Sequence, residues 1–196
     1  MKILTLNASP VKESSTEILL GKIVEGIENS GPTSVENRII HLNDYAITPC
    51  QACGINPEPD WCIYHDDIYA VYDLLVNSDI VLFGSPIYFD TVSAQAKLFI
   101  DRCNCLRPVD FETLQFCHRV IRKRWGAIVL VGGDRQKFEC ARTVIAGFFK
   151  WVNIENVGCI AHAGHSFSPG SAKDSSQAQY EALSLGSKLY QASRGK

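Results

Sequence analysis

The chain has 196 residues, 46% hydrophobic and 20% charged, enough for one well-buried domain and short for two. Its net charge of −2 offers no basic face for nucleic acid, and no apolar run is long enough to span a bilayer, so neither nucleic acid nor membrane is an expected partner. Met1-Lys2 leads straight into a strand-like segment without a leader pattern, which predicts a cytoplasmic protein whose eight cysteines pack as apolar side chains or bind metal.

Along the chain, apolar runs and helical patterns alternate. Lys2–Asn7, Ile80–Gly84 and Ala127–Val131 are apolar without alternation and rich in β-branched residues, as in strands covered on both faces. Val35–Ile40 carries Glu36, Asn37 and Arg38 and reads as an edge strand, while Asn156–Ala161 is a weaker fifth candidate. Between them lie amphipathic helices marked by Ile18, Leu19, Ile23 and Ile27, then by Ile68, Val71, Tyr72 and Leu75. Further helices are expected at Ala94–Asn104, Phe138–Val152 and Gln177–Gln191. Cys140 and Cys159 read as core residues of the fourth helix and the fifth strand. Residues 106–124, with Arg119, Arg122, Lys123 and Arg124, read as an inserted helix or lid, its cations a solvated face or a contact for a nicotinamide phosphate.

Strand then helix, five times over, predicts a single α/β domain over residues 1–196. Its sheet is doubly wound, parallel and five-stranded, with helices on both faces and the flavodoxin-like order 2-1-3-4-5. Ligands in such sheets bind at the carboxyl ends of the strands beside the switch point, which singles out the loops at 7–16, 84–93 and 131–136.

The first of these loops is rich in hydroxyls: Ser9, Ser14, Ser15 and Thr16 stand between a strand and a helix start. Unpaired N–H groups and a partial positive charge at a helix N-terminus stabilise an anion. Ser14-x-x-Glu17 also matches a capping box, so the hydroxyls can equally serve only to start the helix. Neither G-x-x-x-x-G-K-[ST] nor G-x-G-x-x-G occurs here, so the loop suits one phosphate rather than a triphosphate or pyrophosphate. FMN is such a ligand. After the third strand, Pro86, Ile87, Tyr88 and Phe89 supply flat apolar surface for a flavin ring, or simply pack on the next helix. Gly132 and Gly133, followed by Asp134, let backbone approach a ligand, or form a plain turn.

Taken together, Ala8-Ser9-Pro10 with Ser14-Ser15-Thr16, Cys50-x-x-Cys53, Cys62-x-x-x-Asp66-Asp67, Gly84-Ser85-Pro86-Ile87-Tyr88-Phe89 and Ala94-Gln95-x-Lys97-x-Phe99-Ile100-Asp101-Arg102 resemble the NADPH-dependent FMN reductase family, in its iron–sulfur flavoprotein branch. The likeness runs over essentially the whole chain, to Pro169-Gly170 and Leu185-Gly186. It implies a flavodoxin-like fold, tightly bound FMN, and a homodimer or homotetramer with the flavin near the subunit contact. It places the phosphate on Ser9, Ser14, Ser15 and Thr16 and the ring on Pro86, Ile87, Tyr88 and Phe89, with a third contact at Gly132, Gly133 and Asp134.

In the branch that this chain resembles, a C-x2-C-x2-C-x5-C run holds a 4Fe–4S cluster. Here the loop at 48–65 keeps the spacing but reads Cys50, Cys53, Asn56, Cys62. Asparagine is a poor iron ligand, so a stable 4Fe–4S cluster is not expected. Spacing alone offers structural zinc on Cys50, Cys53, Cys62 and His65; an incomplete cluster and a metal-free loop are the other readings. Asp66 and Asp67 read as helix-start carboxylates.

The function expected is an FMN-dependent oxidoreductase that passes electrons from NAD(P)H to a small acceptor such as a quinone or flavin. Hydride transfer needs no side-chain acid or base, and Tyr88 is the candidate for ordering the ring or the acceptor. The alternative is an electron-transfer flavoprotein serving a protein partner without direct NAD(P)H use, for which a net charge of −2 is weak docking charge.

Overall fold

The computed structural model of the protein describes residues 1–110, 112–117, 119–164 and 169–195. The chain runs β1 (Lys2–Asn7), α1 (Ser15–Glu28), β2 (Glu36–His41), α2 (Tyr69–Asn77), β3 (Ile80–Tyr88), β4 (Thr91–Val92) and α3 (Ala94–Arg102). It continues with β5 (Val109–Asp110), β6 (Gln115–Phe116), β7 (Arg124–Gly133), α4 (Glu139–Trp151), β8 (Ile154–Gly164) and α5 (Ser176–Arg194).

One sheet has the order β2-β1-β3-β7-β8, every pair parallel, with β4 antiparallel against the end of β3. In a strand successive side chains point to opposite faces. Along β1, Ile3 joins the apolar cluster formed with α1 and α5, while Leu4 and Leu6 join the cluster formed with α2, α3 and α4. β3 divides likewise, Ile80 and Leu82 facing one way and Val81 and Phe83 the other. Two cores therefore sandwich the sheet, which is why its central strands read as unbroken apolar runs. β2 has one neighbour and exposes half of its six side chains, in keeping with its polar sequence.

α1 and α5 touch backbone to backbone. A Cβ at Gly26 would sit 2.2 Å from the Leu183 carbonyl oxygen, and one at Gly186 2.2 Å from that of Ile23. Glycine at the crossing is what permits this approach.

Several details depart from the sequence reading. β3 continues past Gly84 to Tyr88 and folds back on β4 through Phe89 and Asp90, at φ 51° and 59°. A two-residue turn with both central residues at positive φ matches the right-handed twist of a hairpin. In the 106–124 segment, where a helix or lid is expected, stands a small hairpin, β5 with β6; Phe111 and His118 of that segment lie outside the described residues. Its cations are spent on structure. Arg119 donates to the carbonyls of Trp61, Pro59 and Asp60, Arg122 to Asp79 and the Ser78 carbonyl, and Lys123 pairs with Glu155. Arg124 is fully buried on the carbonyls of Leu75 and Val152, and burial pulls its pKa down to about 10. Cys140 is exposed on α4 rather than in the core, and Cys159 is half-buried.

Candidate functional site

The carboxyl ends of β1, β3, β7 and β8 open into a cavity of about 390 Å³. The 9–16 loop forms one wall with Ser9, Ser14, Ser15 and Thr16, and Pro86, Ile87 and Tyr88 form a second. Gly132, Gly133 and Asp134 close a third. Three loops far apart in sequence thus meet because a parallel sheet delivers all its strands to one edge.

The hydroxyls of the first wall have separate duties. Ser14 caps α1, accepting from Glu17 N at 3.3 Å, while the Glu17 carboxylate accepts from Glu13 N at 2.8 Å, one residue before the cap. Ser9 Oγ accepts from Val11 N at 3.2 Å, and Ser15 Oγ accepts from Ala172 N at 3.0 Å. The helix-start reading thus holds for Ser14, and it does not take Ser14 out of the cradle reading, since a hydroxyl that accepts from the backbone keeps its own proton to donate. Thr16, 1% exposed, makes no side-chain hydrogen bond among the described residues. The N–H groups of Ser15 and Thr16, in the first turn of α1, likewise have no partner among the described residues. No lysine or arginine is among the lining residues. An anion here would rest on amides, hydroxyls and the helix dipole.

On the third wall, a Cβ at Gly132 would lie 2.7 Å from Gln136 Oε1 and 3.2 Å from Ile87 Cβ, so a side chain there would displace the Gln136 amide and crowd Ile87. Gly133 N donates to the same Gln136 oxygen at 2.6 Å, holding the turn closed. Phe89 is the exception among the expected contacts: it is 99% exposed and absent from the lining, because the positive-φ turn carries it to the tip of the β3–β4 hairpin. Asp90, beside it, accepts from Lys137 N at 2.9 Å and ties that tip to the loop after β7.

A fourth wall, not anticipated as ligand contact, comes from the chain after β8: Gly164, Pro169, Gly170 and Ser171. Gly170 sits at φ 78°, where a Cβ would come 2.8 Å from the Glu13 carbonyl oxygen. The rule that ligands bind at strand carboxyl ends covers this loop as much as the other three. The Pro-Gly pair was the available signal.

A second cavity, about 280 Å³, brings Cys50, Cys53 and Cys62 together and adds Cys105, from the 3₁₀ turn that follows α3. His65 does not join them: its ring stacks on Tyr69 at 4.4 Å and lies 3.8 Å from Asp60. The four-ligand zinc set read from spacing is therefore not assembled. Asn56 is exposed, with Nδ2 3.4 Å from Glu58 Oε1, and does not line the cavity. Among the described residues no three His, Cys, Asp or Glu side chains stand within reach of one ion.

Arg102, 1% exposed, organises this cavity. It donates to the carbonyls of Thr48 and Tyr64, to the Asp66 carboxylate, and to Cys62 Sγ at 3.7 Å. Asp66 also accepts from Thr48 N at 2.7 Å, and Asp67 accepts from Ala46 N at 2.8 Å. These carboxylates thus latch the entry of the cysteine loop to the start of α2 instead of serving only the helix. Burial opposes ionisation of Asp66, but the Arg102 and Thr48 donors outweigh it and hold the carboxyl below its usual range. Burial pushes the Cys105 thiol up to about 12, so without metal it stays neutral.

Residues 1–166 match the sequence family described as NADPH-dependent FMN reductase. An iron–sulfur flavoprotein of Archaeoglobus fulgidus is 30% identical over 198 aligned residues, covering 100% of this chain and 82% of that protein. Another from the same organism is 38% identical over 135 residues, covering 69% of this chain and 61% of the relative. In three dimensions the chain superposes on a structure described as an FMN-dependent NADH-azoreductase from Bacillus anthracis in complex with FMN. Its TM-score is 0.70 at 13% identity, covering 97% of this chain and 100% of that one, which speaks for the flavodoxin-like α/β fold. The match over residues 1–166, with an iron–sulfur flavoprotein 30% identical across the whole of this chain, shows that the chain belongs to the NADPH-dependent FMN reductase family, in its iron–sulfur flavoprotein branch.

Proposed function

We propose that the protein is an FMN-dependent oxidoreductase that takes electrons from a reduced nicotinamide and hands them to a small acceptor. The observation that carries this reading is the joining, in one cavity, of a phosphate cradle without a cationic side chain to a wall of Pro86, Ile87 and Tyr88. When bound, FMN supplies the redox chemistry: it takes up a hydride and releases electrons to the acceptor.

The protein's part is position. The amides of Ser15 and Thr16 and the Thr16 hydroxyl, unpaired among the described residues, would hold one phosphate. Ser14 and Ser15 shape the loop and can add their protons, while Ser9 Oγ already donates to the Val11 carbonyl at 3.2 Å and shapes the loop only. The closed turn at Gly132 and Gly133 presents backbone, not side chain, to the ring. Tyr88 is 42% exposed and its hydroxyl has no partner among the described residues, so it can order the ring or an arriving acceptor. Tyr88 and the fully exposed Phe89 leave apolar surface at the rim, which supports a homodimer covering it.

An absorbance spectrum of the purified protein tests the flavin, and steady-state turnover with NADH or NADPH and a quinone tests the reaction. The relatives' name, iron–sulfur flavoprotein, favours a second reading, a carrier that serves a protein partner. A carrier would bind FMN yet show no turnover without an added reductase.

A further inference from the structure

The family branch implies a 4Fe–4S cluster, and the loop that would hold one lacks a thiolate at position 56. The second cavity answers that lack. It gathers four cysteines: three from the loop and Cys105 from the turn after α3. We propose that Cys105 is the fourth thiolate of a 4Fe–4S cluster held by Cys50, Cys53 and Cys62, and that Asn56 is not a ligand in this chain.

Several observations carry this. Cys105 is held in the cavity wall, its thiol 3.2 Å from the Arg102 carbonyl oxygen, on a turn anchored to the end of α3. Cys62 Sγ accepts from the guanidinium of the same arginine at 3.7 Å. Ala52 and Gly54, at φ 48° and 68°, curl the chain on either side of Cys53. The surroundings suit an anionic group. Arg102 and Arg107 both line the cavity, and each keeps a buried Nε–H that has no hydrogen-bond acceptor among the described residues. Arg107 lies over the rings of Trp151 and Phe116, at 4.9 and 5.2 Å, which holds its charge beside the cavity. An unpaired buried donor is costly, and the sulfurs of a cluster would accept from it.

A single zinc ion and a cubane ask different things of the four thiols. Zinc with ~2.3 Å bonds demands sulfurs roughly 3.8 Å apart, whereas in a cubane each thiolate binds its own iron and the ligands stand farther apart. Among the described residues no three His, Cys, Asp or Glu side chains stand within reach of one ion, so a single zinc is not assembled there. Assembly needs iron and sulfide from outside, two ferrous and two ferric ions with four sulfides for a cluster at the 2+ level, and each of the four thiols gives up its proton to solvent as its sulfur binds iron.

The test uses the full flavin-loaded chain, reconstituted anaerobically with ferrous iron, ferric iron and sulfide. Iron, sulfide, zinc and FMN are measured, and the dithionite-reduced protein is examined by EPR. The expected result is about four irons and four sulfides per chain in the wild type and in Asn56→Ala. Cys105→Ser should fall to three irons or fewer and lose the wild-type EPR signal. Unchanged FMN content shows that the fold is intact and that the flavin reading stands or falls separately. If Cys105→Ser fails to fold, Cys105→Ala replaces it, and protection of Cys105 from alkylation by the reconstituted wild type gives the same answer without a variant. A full cluster in the position-105 variant, loss of iron in Asn56→Ala, zinc without sulfide, or no iron in the wild type would each overturn the proposal.

Discussion

Thr16→Val isolates the phosphate cradle from the fold. Thr16 is 1% exposed, and its Cγ2 lies where a Cβ on Gly84 would collide at 2.6 Å, so the side chain fills space between α1 and β3. Valine keeps both branches and removes a hydroxyl that has no partner among the described residues, so the stability of flavin-free protein should barely change. A hydrogen bond to a charged group is worth ~1.5–3 kcal/mol, which predicts FMN binding weaker by about 10- to 160-fold. Riboflavin, which lacks the phosphate, should bind wild type and variant equally. Ser15→Ala is the contrast. Ser15 Oγ is the acceptor for the buried Ala172 N–H, and orphaning that donor should cost ~1–3 kcal/mol of flavin-free stability. Fluorescence titration with FMN and riboflavin, together with urea unfolding, measures all four quantities. Equal weakening of FMN and riboflavin by Thr16→Val, or no effect on FMN, would refute the placement of the phosphate.

Gly26→Ala should cost about 1–3 kcal/mol by urea unfolding, since its Cβ would meet the Leu183 carbonyl at 2.2 Å. Gly21→Ala, with nothing within 4 Å, should instead stabilise by up to about 1 kcal/mol; equal effects would mean that the α1–α5 contact is looser than described. Asp66 has a folded pKa below its ordinary value, so its contribution is present above the unfolded pKa and is lost as pH falls through the folded one. Acid unfolding below about pH 4 should therefore be shallower in Asp66→Asn than in wild type, and a parallel pair of curves counts against the latch. Light scattering should give at least two chains of 21.7 kDa, and Phe89→Glu should shift the protein toward monomer. A monomeric wild type at micromolar concentration would remove the case for a covered rim.

Much of the molecule was legible before folding because it follows local rules. The apolar run at Lys2–Asn7 is the first strand to the residue, and the 3.6-residue pattern at 138–152 became Glu139–Trp151. Three of the four cavity walls follow from one topological rule applied to the order of strands. Hidden was whatever depends on a turn's handedness or on which distant groups meet. Phe89 belongs to the ring-contact motif by sequence, yet two successive positive-φ residues swing it out of the cavity. The cations at 119–124 read as a surface cluster, but Arg119 is drawn onto the carbonyls at 59–61 and Arg124 is buried between α2 and the end of α4. His65 matches a zinc spacing, and stacking on Tyr69 holds it elsewhere. Cys105 stands 43 positions beyond Cys62 and closes no motif with it. Only the packing of α3 beside the cysteine loop, secured by Arg102 on Thr48, Tyr64 and Asp66, brings the two thiols to one cavity. Spacing encodes what neighbours along the chain can do together; the crossover connections of a parallel sheet decide which strangers become neighbours.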